Sequence, residues 1–237
     1  AAMVFFLKPR NMIFFSKEGF ITVAVCWVAS SLVGAVPFVI SGAIPSFTDA
    51  LFEIVSGLTT TGASIVPNVE ILPKSMLFWR SFSHWIGGMG VLVFLLAVVP
   101  LTGGHTMQLM RAESPGPSVG KFVPKVRQTA FILYSIYFAM TILEIVLLLA
   151  GGMPWFDSIC TSFGTAGTGG FATKNASIGF YRSNYIQAVV TVFMILFAVN
   201  FSVYYLLLAK KFKQAFKNEE LWWFLAIIGF SVFCITF

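Results

Sequence analysis

The sequence predicts an all-α integral membrane protein assembled from tandem helix–loop–helix units, and three observations carry that prediction. First, 58% of the residues are hydrophobic and 10% are charged, with a mean hydropathy of +0.89, whereas soluble domains carry roughly 25% charged residues. Second, apolar runs of spanning length fall at Gly19–Gly42, Ser75–Pro100, Gln128–Gly152 and Asn184–Ala209, and a fifth starts at Leu221; about 20 residues suffice to cross the hydrocarbon as a helix. Third, two apolar stretches too short to span, Ser46–Leu58 and Pro154–Phe163, each sit between two of those runs.

Taken in chain order, residues 1–18 form an N-terminal segment and 19–100 a first unit of helix, short re-entrant helix and helix. Residues 101–127 are a polar connector and 128–209 a second such unit, with 210–237 a linker leading into the start of a third. Each short stretch carries an acidic residue near its start, Asp49 or Asp157, as the positive end of a helix dipole prefers. Irregular backbone at membrane depth is tolerated only where it is buried in protein or lines water. The chain opens Ala1-Ala2-Met3 and ends inside the apolar run Leu221–Phe237, which predicts part of a longer protein.

The net charge of +6 does not point to nucleic acid, because the basic residues form no patch interleaved with aromatics. They cluster as Lys8, Arg10 and Lys17, then Arg111, Lys121, Lys125 and Arg127, then Lys210, Lys211, Lys213 and Lys217. The positive-inside rule makes that side cytoplasmic, with the N-terminus inside and both short helices entering from outside. Cys26, Cys160 and Cys234 are odd in number and widely spaced, so they are read as packing residues. His84 and His105 have no ligand-spaced partner.

The two units repeat. A shift of 108 residues places Asp49 on Asp157, Thr60 on Thr168, Gly62 on Gly170 and Lys74 on Arg182; agreement in one register signals duplication. A rival register pairing Gly62 with Gly167 breaks the Asp49/Asp157 match.

After each short helix comes a turn rich in threonine and glycine. The residues singled out are Thr60, Thr61, Gly62 and Ala63, with Thr168, Gly169, Gly170 and Phe171, and beside them Thr59 and Gly167. Threonine offers a carbonyl and a hydroxyl, and glycine permits the positive φ that lets successive carbonyls face one way. Such carbonyls replace the water of a K⁺ ion in selective filters, so the architecture is K⁺-channel-like. The carbonyls of Thr60, Thr61, Thr168 and Gly169 are the predicted ligands. Gly87-Gly88-Met89-Gly90, in the middle of a spanning run, reads instead as a close helix contact. Gly164–Gly170 is not a phosphate loop, since no Gly-Lys-Ser/Thr follows.

Asp49, Glu53, Glu70 and Asp157 are placed on the outer side, as cation attractors at a mouth or, for Asp49 and Asp157, as helix stabilisers. Arg80, one helical turn from His84, is read as snorkelling or pairing with an outer carboxylate. Glu144 is costly in its apolar run unless paired or facing water. Asn200 either faces the pathway or caps a kink.

Four stretches together resemble one family: Asp49-Ala50-Leu51-Phe52 leading into Thr59–Ser64, Trp85-Ile86-Gly87-Gly88-Met89-Gly90, Arg111–Pro117, and Asp157 leading into Gly167–Phe171. On these the chain resembles the Trk/Ktr/HKT superfamily of potassium transporters, most nearly its bacterial Trk membrane-subunit branch. The resemblance covers essentially the whole chain. It implies four helix–pore-loop–helix units around one pathway, of which this chain holds two and the start of a third. Gly62 and Gly170 would be the filter glycines of the first two units. At most the tail of the family's leading helical hairpin, Ala1–Phe15, would remain. The resemblance also implies K⁺ as the transported ion with no organic cofactor, a lipid-embedded homodimer in the bacterial inner membrane, and docking on cytosolic nucleotide-binding, TrkA-like regulatory subunits through the inner loops.

The leading function is K⁺ uptake through a backbone-carbonyl filter, this chain supplying two of four segments. One alternative is alternating-access symport of K⁺ with H⁺ or Na⁺, with Glu144 the candidate proton site. Another is a non-transporting membrane anchor for a cytosolic ring. No nucleophile–base pair or metal cluster is visible in the sequence, so it is not read as an enzyme.

Overall fold

The computed structural model describes residues 16–90 and 126–236. The segment 1–15, the end of the second apolar run and the connector holding Arg111–Pro117, Lys121 and Lys125 lie outside the described residues. Regular structure among the described residues is helical: α1 Ser16–Ile40, α2 Phe47–Leu58, α3 Lys74–Met89, α4 Val126–Ala150, α5 Trp155–Ala166, α6 Asn184–Ala198, α7 Phe201–Leu208, the single turn α8 Phe212–Ala215, and α9 Glu219–Thr236. By length and composition Phe20–Ile40, Ala130–Ala150 and Glu219–Thr236 are able to cross a membrane.

Local chemistry sets the ends of the short helices. Ser46 caps α2 by accepting the Asp49 amide at 3.4 Å, and Asp49 sits in the first turn. The proline before α5, Pro154, lacks the N–H that would be unsatisfied there, and Asp157 again occupies the first turn. This second short helix runs to Ala166, three residues beyond the end expected from hydropathy, because Thr165 and Ala166 continue the helix into the buried interior.

A larger departure lies in the fourth apolar run. Asn184–Ala209 is not one straight span: α6 and α7 meet at an angle of 88°. Asn200 causes the break by capping α7, its Oδ1 accepting the Ser202 amide at 2.9 Å. Its Nδ2 donates to Glu220 on α9 at 3.1 Å, which ties the bend to the next helix. Capping a kink, one of the two roles open to Asn200, is observed.

Helix α3 joins the two halves, packing on α2 within its own half and on α5 in the other. One core gathers Trp85 from α3 with Tyr134 and Tyr137 from α4, Ala166 from α5, and Phe193 and Phe197 from α6. Tyr137 donates to the Trp85 carbonyl at 2.9 Å and the Trp85 indole donates to Thr141 at 3.1 Å. The second core lies under α2, with Ala35, Phe38, Ile54 and Leu58. At Gly87 the α3 backbone lies so close to Leu58 that a Cβ would overlap the Leu58 carbonyl. Residues such as Phe20, Val33, Phe131 and Val146 point outward from α1 and α4, as lipid-facing positions do. Cys160 is buried and Cys26 half-buried, while Cys234 is exposed on α9, so packing within the described residues does not account for it.

Candidate cation-coordinating site

Helices α2 and α5 end alike. Thr59 N donates to Val55 O at 2.8 Å, Thr60 N to Gly57 O at 3.0 Å and Thr61 N to Ser56 O at 2.9 Å. In the second segment Gly167 N donates to Phe163 O at 3.3 Å, Thr168 N to Thr165 O at 2.8 Å and Gly169 N to Gly164 O at 3.2 Å. Every donor and acceptor of the second set stands 108 residues after its counterpart.

The dihedrals pair in the same way. Thr60 and Thr168 have φ of 56° and 55°, and Gly62 and Gly170 have φ of 76° and 79°. A threonine in the left-handed region is unusual and is held only where its surroundings determine it. Gly167, at φ −79°, does not share the conformation of Gly62, so the register pairing Gly62 with Gly170 is the one the backbone follows. Alternating left-handed residues turn neighbouring carbonyls to a common side. The carbonyl-bearing ends of α2 and α5 lead into these turns, and a helix C-terminus favours positive charge.

The two segments touch. A Cβ on Gly62 would overlap the Gly169 carbonyl, and a Cβ on Gly169 would fall 2.7 Å from the Thr60 carbonyl. Thr60 and Gly169 are half-buried, and Thr61, Thr168 and Gly170 are exposed. The side-chain hydroxyls of Thr59 and Thr61 lie 2.9 Å apart, Thr59 also donating to Val55 O at 2.7 Å.

The last residue of each predicted set behaves differently from the rest. The Ala63 carbonyl accepts from Ser56 Oγ at 2.5 Å, and the Phe171 carbonyl lies against Gly164, where a Cβ would overlap it. Both carbonyls are thus turned back towards their own short helix. The Gly169 carbonyl lies against Gly62 and the Thr60 carbonyl against Gly169, across the two segments rather than back towards a helix, and the predicted ligands remain the carbonyls of Thr60, Thr61, Thr168 and Gly169.

Behind the turns lies a polar clamp. Glu53 on α2, fully buried, pairs with Arg80 on α3 and also accepts from Ser64 Oγ at 3.0 Å and from the Ile65 amide at 2.9 Å. Arg80 donates through Nη1 to the Ala172 carbonyl at 3.1 Å, and its guanidinium stacks 3.6 Å from the centroid of Phe171. The His84 ring meets Phe171 edge-on at 4.1 Å and packs against Gly167 and Gly169. Glu53 is therefore no cation attractor at a mouth: its burial and its three donors, Arg80 Nε, Ser64 Oγ and the Ile65 amide, make it a brace. Arg80 does pair with a carboxylate, but an interior one.

Further out, Asn175 accepts the Val69 amide at 2.9 Å and donates to Asn68 at 2.8 Å, while its own amide donates to Glu70 at 3.2 Å. The loops after the two turns are thereby cross-linked. Asp157 accepts from Thr173 at 2.7 Å and from Tyr181 at 2.8 Å. Burial first, then the hydrogen bond to Asp157, push the Tyr181 phenol above its ordinary range. Glu144 is fully buried on α4, close to Thr165 of α5, and its carboxylate oxygens make no hydrogen bond among the described residues. The clamp and Asn175 were hard to find from sequence, since their partners lie in other elements. Arg80 within an apolar run was the one signal, because a buried guanidinium demands a partner.

Comparison with known proteins places this geometry in a family. A family model described as "TrkH: Cation transport protein" matches residues 2–236. The Trk system potassium uptake protein TrkH of Salmonella typhimurium is 38% identical over 215 residues, covering 90% of this chain and 44% of the relative. The Trk system potassium uptake protein TrkG of Escherichia coli is 37% identical over 224 residues, covering 93% of this chain and 46% of the relative. The crystal structure of the potassium transporter TrkH from Vibrio parahaemolyticus superposes with a TM-score of 0.73 at 33% identity, covering 98% of this chain and 47% of that one. The chain thus spans a little under half the length of the relatives it matches. On this agreement of sequence and architecture, the chain belongs to the TrkH family of cation transport proteins.

Proposed function

We propose that the chain contributes two of the filter segments of a K⁺ uptake pathway, Thr60–Gly62 and Thr168–Gly170, each at the end of a re-entrant pore helix in a tandem repeat. The observation that carries this reading is the matched pair of left-handed residues, Thr60/Thr168 and Gly62/Gly170, at the ends of two short helices whose turns touch. Carbonyls held in fixed positions are able to replace an ion's water without reorganising, which is how a larger, more easily dehydrated cation is preferred. The relatives named as potassium uptake proteins support K⁺ as the cargo. In this reading both pore helices enter from the outer face and the N-terminus is cytoplasmic. The family resemblance further supports assembly with a second copy and with cytosolic nucleotide-binding subunits.

The test is ion selectivity of the full-length protein in liposomes. Gly170→Ser keeps a small residue but forces a side chain into φ 79°, a strain of about 1–2 kcal/mol. The K⁺/Na⁺ permeability ratio is expected to fall severalfold. A ratio unchanged in Gly170→Ser would overturn the filter reading, and absence of any K⁺ flux through the unsubstituted protein would favour an anchor without transport.

A second reading, symport of K⁺ with H⁺, is kept by one observation: the Glu144 carboxylate is fully buried in a spanning helix with no hydrogen bond among the described residues. Under symport, Glu144→Gln collapses K⁺ flux driven by a pH gradient. Flux that persists unchanged removes that reading.

A further inference from the structure

Resting on the filter reading above, we propose that Arg80 and Glu53 form a positioning pair that sets the two filter segments against each other, and so determines how well K⁺ is told from Na⁺. The pair touches no transported ion itself. Its place in the fold is what matters: Glu53 belongs to the first pore helix, Arg80 to the following helix, and the groups they hold belong to both turns.

The connections run in one chain. Glu53 fixes the exit of the first turn through Ser64 Oγ, at 3.0 and 3.1 Å from its two oxygens, and through the Ile65 amide at 2.9 Å. Arg80 Nε pairs with the same carboxylate. The other arm of the guanidinium reaches the exit of the second turn, with Nη1 3.1 Å from the Ala172 carbonyl and the plane stacked on Phe171. Phe171 is in turn wedged by His84. Ser64 and Ala172 are equivalent in the 108-residue register, so a single ion pair grips the same position of both segments.

The chemistry of the two side chains suits this task. A guanidinium is a rigid planar fork that serves two acceptors and an aromatic face at once; an ammonium is a single point. Both members are buried, Arg80 at 4% exposure and Glu53 at 0%, so water does not compete for these bonds. A shift in any of them moves Ala172 relative to Ser64, and with it the carbonyls one to four residues upstream. The grip is also asymmetric. At the positions equivalent to Glu53 and Arg80 the second unit has Thr161 and Ala188, so this contact is not a by-product of duplication.

The experiment uses the full-length protein in liposomes and reads the K⁺/Na⁺ permeability ratio, which does not depend on how much protein is inserted. Removing one charge alone risks misfolding, so the main variant neutralises both, Glu53→Gln with Arg80→Gln, and leaves no buried charge unpaired. Its ratio is expected to fall about tenfold, the scale of one lost charge-assisted hydrogen bond. Arg80→Lys keeps the charge but not the fork and is expected to fall likewise. A wild-type ratio in the doubly neutralised protein, or in Arg80→Lys, would overturn the proposal. Gly170→Ser runs alongside as the control for the filter itself. Loss of selectivity in Gly170→Ser with retention in the paired variant sinks only the positioning role, whereas retention in both sinks the filter reading with it.

Discussion

Gly62→Ala in the full-length protein is expected to lower K⁺/Na⁺ discrimination by more than tenfold and to reduce the K⁺ flux. Two costs combine. A side chain at φ 76° is strained, by about 1–2 kcal/mol, and the new Cβ would also overlap the Gly169 carbonyl. Relief requires the second segment to move, and that segment carries two of the four candidate ligands. Each 1.4 kcal/mol, roughly, is a factor of ten, so even partial relief degrades the preference between two ions of equal charge. Gly170→Ala supplies the contrast. It meets the same strain at φ 79° but has no heavy atom within 4 Å of its new Cβ, so its loss should be smaller. Permeability ratios measured for both variants decide the matter. Equal losses would show that segment-to-segment contact plays no part.

Glu53→Ala is expected to have the largest effect on stability, about 3–5 kcal/mol, the range found when one partner of a buried ion pair is removed. The substitution strands the Arg80 guanidinium at 4% exposure and leaves the Ile65 amide and Ser64 hydroxyl without their acceptor. It should appear as a steep fall in the apparent Tm of the detergent-solubilised protein and in low yield. Glu70→Ala, at an exposed carboxylate that accepts one amide from Asn175, is the control and should stay within about 1 kcal/mol. A Glu53→Ala protein as stable as that control would show that the pair contributes nothing net.

Which parts of this molecule can be read without coordinates follows from the kind of signal each leaves. Helices α2 and α5 are legible because a stretch too short to span, with an acidic first turn and a glycine-rich exit, differs from its neighbours in composition. The turns are legible because threonine and glycine at matching offsets recur at one spacing. Hydropathy averaged along a run has no sensitivity to direction, however, so Asn184–Ala209 reads as one span although Asn200 breaks it by 88°. Glu53 was misplaced for a related reason. Its charge suggests the aqueous side, and only the packing of α3 on α2 supplies Arg80 as the group that makes burial tolerable. The inward turn of the Ala63 and Phe171 carbonyls depends on Ser56 Oγ and on the space left at Gly164, neither of which announces itself in a motif.

The break at Asn200 carries a dielectric consequence. The 15 residues of α6 rise about 22 Å, less than the roughly 30 Å of hydrocarbon, so α6 reaches the bend before it could cross a bilayer. There it borders a cavity of about 430 Å³ shared by Thr59, Gly88, Asn200 and Glu220, large beside the ~30 Å³ that one water occupies in the liquid. Solvent reaching this space would carry a high-permittivity medium up to the inner end of the turns. If the turns form the filter proposed above, the stretch over which a cation does without bulk water is confined to the few residues between Thr59 and Gly62.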